Sequence, residues 1–243
     1  MKPETLFFLL IGILIISFIV DQILDFLNAR RFGNPIPVEL KDIFNEEEYH
    51  KSQAYNKERY RFGVITSSFS LLITLLFFFF DGFALVDHWA RSLAENEVFV
   101  GLIFFGIIMI GSDILMTPFG WYSTFVIEEK YGFNKTTKKT FVLDKIKGWL
   151  MMIIIGGLIL GLIIWFYQQT GKDFWLYAWA VVIVFSVVVN MFYSRLIVPL
   201  FNKQTPLEEG NLKVAIEKYA SKVGFRLDKV FVIDGSKRST KAN

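Results

Sequence analysis

The chain has no cysteine and only two histidines among its 243 residues. The absence of cysteine excludes disulfide bonds and thiolate metal sites, and two histidines are too few for a histidine-rich zinc site. The net charge is also small, because 26 Lys and Arg against 23 Asp and Glu leave +3. So small an excess says little about partners, and we expect no binding to nucleic acid.

Hydrophobic residues are abundant, at 53% of the chain, and the mean hydropathy is +0.44. Such a composition excludes a disordered chain and exceeds what a soluble domain needs. Five apolar runs have about the 20 residues that cross a hydrocarbon core. They are residues 6–27, 64–85, 98–119, 149–167 and 174–200. Since backbone groups inside a bilayer must be satisfied within the segment, the runs predict an all-α polytopic membrane domain over residues 1–200, with five transmembrane helices.

The basic residues predict how these helices are oriented. If five spans alternate in direction, every Lys and Arg except Lys2, Arg91 and Lys172 falls on the same side of the membrane. Positively charged loops favour the cytoplasm. We therefore predict a multi-pass integral membrane protein with its N-terminus outside, its C-terminus in the cytoplasm and the lipid bilayer as its first partner.

Residues 201–243 are predicted to begin a cytoplasmic α/β domain. Residues 205–208 have the pattern of a capping box and predict a helix that starts there and ends at Gly224. Residues 229–233 predict a β-strand followed by an Asp-Gly turn. A lone strand leaves its hydrogen bonds unmade, and the polar residues after it supply no sheet core. We therefore expect a domain that this chain starts and does not complete, which would make it a truncated chain.

Three polar residues within the predicted spans are candidates to line a cavity: Asp113, Asn190 and Arg195. Charged side chains at this depth are costly and usually face water or each other. The residues allow two interpretations. One is a water-filled cavity open to the cytoplasm, with an Asp113–Arg195 pair, and the other is snorkelling at the span ends. His50 and His88 are predicted on opposite sides of the membrane, where they cannot share a metal.

Four blocks of sequence carry a resemblance to a known family. They are residues 51–55 with 61–63, residues 125–137, residues 199–203 with 205–210, and residues 231–239. In these blocks the chain resembles the N-terminal membrane part of the type I CAAX prenyl proteases, which are integral-membrane zinc metallopeptidases. The resemblance implies that the spans enclose a hydrophilic chamber and that residues 201–243 begin a gluzincin-like domain. It also implies a prenylated protein or other peptide as the substrate, cut at the cytoplasmic side.

The sequence departs from this family at the catalytic motif. The family holds zinc with the two histidines of His-Glu-x-x-His and a later glutamate, and no such motif occurs in these 243 residues. The resemblance therefore implies no catalytic residue, no bound zinc and no cleavage by this chain alone. In the family, the Ser-Lys-Arg-Ser segment runs into an Asn-Ala-Tyr edge strand that binds substrate. Asn243 aligns with that asparagine and is the candidate substrate-binding residue.

Two other functions fit an apolar chain of this kind. A small transporter could use the cluster of Asp113, Asn190 and Arg195, but it would be expected to show inverted repeats and midplane sites, and neither is visible. A non-catalytic membrane scaffold is the other alternative. For the host membrane, we favour a bacterial plasma membrane over the endoplasmic reticulum.

Overall fold

The structure is a computed structural model that describes residues 2–37 and 45–241. The candidate Asn243 lies outside the described residues. The chain divides into two compact units, Met1–Asn134 and Lys135–Asn243. These units do not decide the domain boundary expected near residue 200, which stays a prediction.

The first unit consists of helices. They are α1 (Pro3–Ala29), α2 (Glu46–Phe79), α3 (Gly82–Leu93) and α4 (Glu97–Tyr122), which continues as a π-helical turn over Ser123–Glu128. Two asparagines begin helices here. The side chains of Asn45 and Asn96 each accept a 2.9 Å hydrogen bond from the backbone N–H two residues on, which satisfies an otherwise free donor.

The predicted end of the second span, residue 85, is wrong. Helix α2 ends at Phe79, and Asp81 adopts a left-handed conformation with φ of 53°. The chain passes so close to itself here that a Cβ on Gly82 would lie 2.6 Å from the Phe77 ring. The Asp-Gly pair therefore breaks the helix inside an apolar run, and a separate amphipathic helix, α3, follows.

The second unit is also mainly helical. It contains α5 (Lys138–Met151), a π-helical turn (Met152–Gly156), α6 (Gly157–Thr170), a 3₁₀ turn (Gly171–Asp173), α7 (Phe174–Phe192), a π-helical turn (Tyr193–Ile197) and α8 (Val198–Phe201). Thr137 caps α5, because its hydroxyl accepts the Thr140 N–H at 3.1 Å.

Four helical stretches of the described chain are long and apolar enough to cross a membrane: Pro3–Ala29, Glu46–Phe79, Glu97–Glu128 and Lys138–Phe201. The last has 64 residues, about 96 Å if straight, roughly three times the hydrocarbon thickness. It is not straight, because Gly171 has φ of 56° and the Phe166 ring of α6 stacks on Tyr177 of α7 at 5.1 Å. α6 and α7 therefore form a hairpin, while the count of five spans stays a prediction.

The helices expose their apolar side chains almost everywhere. In the four candidate spans, at most 6% of the most apolar window is buried inside the protein. A soluble protein would leave no such continuous apolar surface in water, whereas lipid accepts it. The structure is therefore that of a multi-pass membrane protein whose helices face lipid.

The tail folds differently from the sequence prediction. It contains β1 (Gln204–Pro206), α9 (Asn211–Lys222) and β2 (Phe231–Ile233). The expected capping box is wrong, because Thr205 pairs with Val232 in an antiparallel ladder and the helix begins only after Gly210. The expectation of an unpaired strand is wrong for the same reason: β2 finds its partner upstream.

The predicted end of the tail helix is confirmed. Gly224 has φ of 68°, its N–H donates to the Ser221 carbonyl at 3.2 Å, and the Phe225 N–H donates to the Ala220 carbonyl at 2.9 Å. This is the Schellman pattern, in which glycine supplies the left-handed residue that ends a helix.

Candidate functional site

The first polar cluster of the described chain surrounds Tyr55, on the N-terminal part of α2. Tyr55 is 7% exposed, and its hydroxyl donates a 2.6 Å hydrogen bond to Oε1 of Glu128. The rings of Tyr131 and Phe133 contact the Tyr55 ring edge-on, at 5.2 and 5.0 Å between centroids. The start of α2 is thereby held against the segment that follows α4.

An ion pair extends this cluster, which we call the Tyr55 cluster (Tyr55, Glu58, Glu128, Lys130 and Tyr131). Glu58 Oε2 accepts hydrogen bonds from Lys130 Nζ at 2.6 Å and from the Tyr131 hydroxyl at 2.8 Å. The hydrogen bond to Glu58 raises the pKa of Lys130. Partial removal from water, followed by the bond to Glu58, raises the pKa of Tyr131. Both groups are held in their protonated, donating forms.

Gly132 makes this arrangement sterically possible. Its φ of 78° lets the chain turn directly after Tyr131. The backbone N–H of Phe133 then donates to the Glu128 carbonyl at 2.9 Å. The rings on both sides of the glycine consequently reach Tyr55.

The second cluster has Arg238 at its centre and belongs to the second unit. The guanidinium binds Asp144 of α5 through two bonds, Nε to Oδ2 at 2.7 Å and Nη2 to Oδ1 at 2.9 Å. It also donates to the Phe201 carbonyl at 2.8 Å and to Oδ1 of Asn202 at 2.5 Å. The Asp144 carboxylate raises the pKa of Arg238, so the guanidinium stays charged. One side chain thus joins α5, the end of α8 and the segment after β2.

Asp234 adds a second link between the same elements. Its Oδ1 accepts the Lys203 backbone N–H at 2.7 Å, and its Oδ2 lies 3.2 Å from Lys237 Nζ. Partial desolvation would raise the pKa of Asp234, but the Lys237 ammonium and the Lys203 N–H lower it by more. We call Asp144, Phe201, Asn202, Asp234, Lys237 and Arg238 the Arg238 cluster.

Lysine side chains satisfy the open end of α8. Lys147 Nζ donates to the Leu200 carbonyl and Lys237 Nζ donates to the Phe201 carbonyl, both at 2.7 Å. The last carbonyls of a helix lack intrahelical partners and carry partial negative charge, so cations suit this position. The transition from the apolar helix to the tail is therefore fixed by charge.

The three cavity candidates are divided between the two units. Asp113 lies half-buried in α4, where Thr117 donates to its carbonyl at 2.7 Å. Asn190 is exposed on α7 and donates to the Ser186 carbonyl at 2.8 Å. Arg195 is exposed in the π-helical turn before α8. Asp113 belongs to the first unit and Arg195 to the second, so their pairing stays a prediction.

Metal-binding side chains do not converge in the part of the chain that the structure describes. No group of three or more His, Asp or Glu residues is placed to hold an ion there. His50 lies on α2 with Nε2 4.0 Å from Glu46, and His88 lies on α3. The described residues do not fit a zinc site, and we assign zinc chemistry to none of them.

Comparison with known families identifies the relatives of this chain. A family model described as "CAAX prenyl protease N-terminal, five membrane helices" matches residues 25–203. The chain belongs to the CAAX prenyl protease family. The family resemblance is thereby confirmed. Except for Glu58 and Asp144, the named residues of both polar clusters fall within the four sequence blocks.

Several relatives support this membership. The chain is 37% identical to "CAAX prenyl protease 1 homolog" of Arabidopsis thaliana, over 96% of this chain and 57% of the relative. It is 37% identical to "CAAX prenyl protease 1" of Saccharomyces cerevisiae, over 86% of this chain and 48% of the relative. The crystal structure of S. mikatae Ste24p matches with a TM-score of 0.93 and 35% identity, over 100% of this chain and 58% of that one.

Two consequences follow for this family member. The chain spans about half the length of these relatives. The relatives come from a plant and from yeasts, so the preference for a bacterial plasma membrane has no support.

Sequence reasoning missed the central residues of the second cluster. Arg238 and Asn202 lay in recognised blocks but were given no role, and Asp144 lay outside every block. An acid and a base 94 positions apart carry no local signal of pairing. Only the fold brings them together.

Proposed function

We propose that this chain forms the N-terminal, chamber-forming part of a CAAX prenyl protease-like zinc metalloendopeptidase. In this proposal five spans, with the N-terminus outside and the tail in the cytoplasm, enclose the chamber, and residues 201–243 begin the peptidase domain. The substrate is a prenylated CAAX-type protein or another membrane protein, cut at the cytoplasmic side. The 243 residues alone bind no catalytic zinc and cleave nothing, because the zinc-binding motif is absent from them.

The Arg238 cluster is the observation that carries this proposal. It fixes the segment after β2 against the end of α8 through the four hydrogen bonds of one guanidinium. By the family resemblance, this segment leads into the edge strand that binds substrate. The chain therefore uses its strongest polar contacts at the junction where a substrate-binding strand would leave the membrane domain.

This observation favours the protease over the alternatives. A transporter would concentrate its polar contacts inside the spans. Here the Tyr55 cluster joins the charged start of α2 to the segment after α4, and the Arg238 cluster joins α5 to the end of α8 and to the tail. A scaffold needs no rigid orientation of the segment after β2. We retain the scaffold only as an outcome of the test below.

The test is a chimera in the yeast relative. Residues 1–238 replace the matching N-terminal part of Saccharomyces cerevisiae CAAX prenyl protease 1, in cells that lack their own copy. We expect membranes of these cells to cleave a farnesylated CAAX peptide, with loss of cleavage on addition of a zinc chelator. Cells that express the 243-residue chain alone are expected to show none.

Matched variants distinguish a positioning role from mere folding. Arg238→Gln in the chimera should reduce kcat/KM strongly while membrane insertion and expression persist. Arg226→Gln is the control, because Arg226 is 93% exposed and pairs only with Asp228 in the described chain, at 3.4 Å. A well-expressed chimera without cleavage would reject the protease proposal in favour of a scaffold. Chelator-sensitive cleavage by the 243-residue chain alone would instead refute its proposed inactivity.

A further inference from the structure

Helix α3 divides its surface into three stripes. One stripe packs into the protein, where Val86 is 2% and Ala90 0% exposed. The second consists of large apolar side chains left open, with Leu85 and Trp89 each 49% and Leu93 71% exposed. These three follow one another at intervals of four residues and so form a line along one side of the helix.

The third stripe is polar and fixed in place. Arg91 lies at its centre, with Nε 2.9 Å from Asp87 and Nη1 2.8 Å from Glu97 at the start of α4. Ala84 and His88 lie on the same side and are exposed. The ion pair with Glu97 ties this side of α3 to the start of α4, and the buried Val86 and Ala90 fix the side that packs inward, so the apolar line stays exposed.

The apolar line continues a surface that already faces lipid. Phe79 and Phe80, at the end of α2, are 57% and 76% exposed, and Phe99 in the first turn of α4 is 60% exposed. Both helices are long and apolar enough to span a membrane. Because α3 connects their ends, it lies at the boundary between the hydrocarbon core and the lipid headgroups.

We propose that α3 lies flat in the membrane interface, with Leu85, Trp89 and Leu93 inserted into a lipid leaflet. Its charged stripe then faces the headgroups and water. A short helix with one apolar and one charged side is the form that such interfacial segments take, and tryptophan favours this depth. The exposed apolar stripe is thus covered by lipid acyl chains of the same bilayer that the spans cross.

The cysteine-free chain makes a direct test possible. Single cysteines replace Leu85 and Leu93 on the apolar stripe, and Ala84 and His88 on the polar stripe. Each full-length variant is spin-labelled and reconstituted in phosphatidylcholine vesicles with some phosphatidylglycerol. Oxygen, which partitions into lipid, and a water-soluble nickel chelate report the depth of each label by electron paramagnetic resonance.

We expect labels at 85 and 93 to collide mainly with oxygen, and labels at 84 and 88 mainly with the nickel chelate. Ile13→Cys on the exposed side of α1 gives the lipid reference, and Glu47→Cys at the exposed start of α2 gives the aqueous one. Nickel accessibility at 85 and 93 equal to that at 84 and 88 would overturn the proposal. Exclusion of both reagents at 85 and 93 would also overturn it, because a protein surface would then cover the stripe.

A second measurement avoids any label in α3. Quenching of tryptophan fluorescence by lipids brominated near the headgroup is compared between the native chain and Trp89→Phe. With bromines near the headgroup, we expect a smaller quenched fraction of the fluorescence in Trp89→Phe than in the native chain. This difference between the two proteins should be smaller when the bromines lie deep in the acyl chains. Equal quenching of both proteins at every bromine depth would contradict insertion of Trp89.

Discussion

Asp144 and Arg238 should stabilise the tail as a pair. Both side chains are about a quarter exposed, at 25% and 26%, and two hydrogen bonds join them. Exposed pairs are worth about 0.2–1 kcal/mol, and breaking a buried pair costs about 3–5 kcal/mol. The partial exposure of this pair lies between those limits. We therefore expect a coupling energy of about 2 kcal/mol, from charge-assisted bonds that are only partly screened.

A double-mutant cycle measures that coupling. Asp144→Asn, Arg238→Gln and the double variant are compared with the native chain by the free energy of unfolding in mixed detergent micelles, titrated with sodium dodecyl sulfate. Each single variant should lose more than half of the unfolding free energy that the double variant loses, since each leaves the partner's charge without its counter-ion. The pair Arg226 and Asp228, 93% and 74% exposed, serves as the control and should couple by less than about 0.5 kcal/mol. Additivity of Asp144 and Arg238 within about 0.5 kcal/mol would refute the reasoning.

Two other predictions follow from single positions. Gly82→Ala should destabilise the chain by about 1–3 kcal/mol, because its Cβ would lie 2.6 Å from the Phe77 ring, whereas Gly63→Ala has open space and should not; equal effects in the same unfolding assay would argue against the tight turn. The Asp234 carboxylate has a lowered pKa, so its contribution is present above the ordinary value of 3.8 and is lost as pH falls through the folded value. The difference in unfolding free energy between the native chain and Asp234→Asn should accordingly close on acidification, and a difference that is constant between pH 7 and pH 3 would contradict this sign.

Hydrophobicity alone predicted that this chain is a multi-pass membrane protein. Its apolar runs are long enough to cross a bilayer, so length and composition are sufficient signals. The end of α2 escaped this reasoning, because Asp81 and Gly82 interrupt a run whose average hydropathy hardly changes. A local signal, the Asp-Gly turn, was present in the sequence and had more influence than the average.

The tail shows the opposite failure, in which a correct local signal was overruled. Thr205 and Pro206 have the sequence of a helix start, and in isolation the capping box would satisfy free N–H groups. In the fold, the same backbone pairs with β2 in a ladder of hydrogen bonds, which satisfies more groups at once. The helix therefore begins only after Gly210. A residue-by-residue pattern has no access to a partner strand about 25 positions away.

The polar clusters mark the limit of what local patterns can predict. Tyr55 and Glu128 are 73 positions apart, and Asp144 and Arg238 are 94 apart. A family resemblance identified most of the blocks that contain them, but not which side chain meets which. The pairing depends on helices whose packing is set by apolar contacts and by lipid, so the polar contacts are a consequence of the fold. It follows that substitutions in the Arg238 cluster should change how the tail is held while the spans still insert, and this separation is what makes the chimera and the double-mutant cycle informative about position.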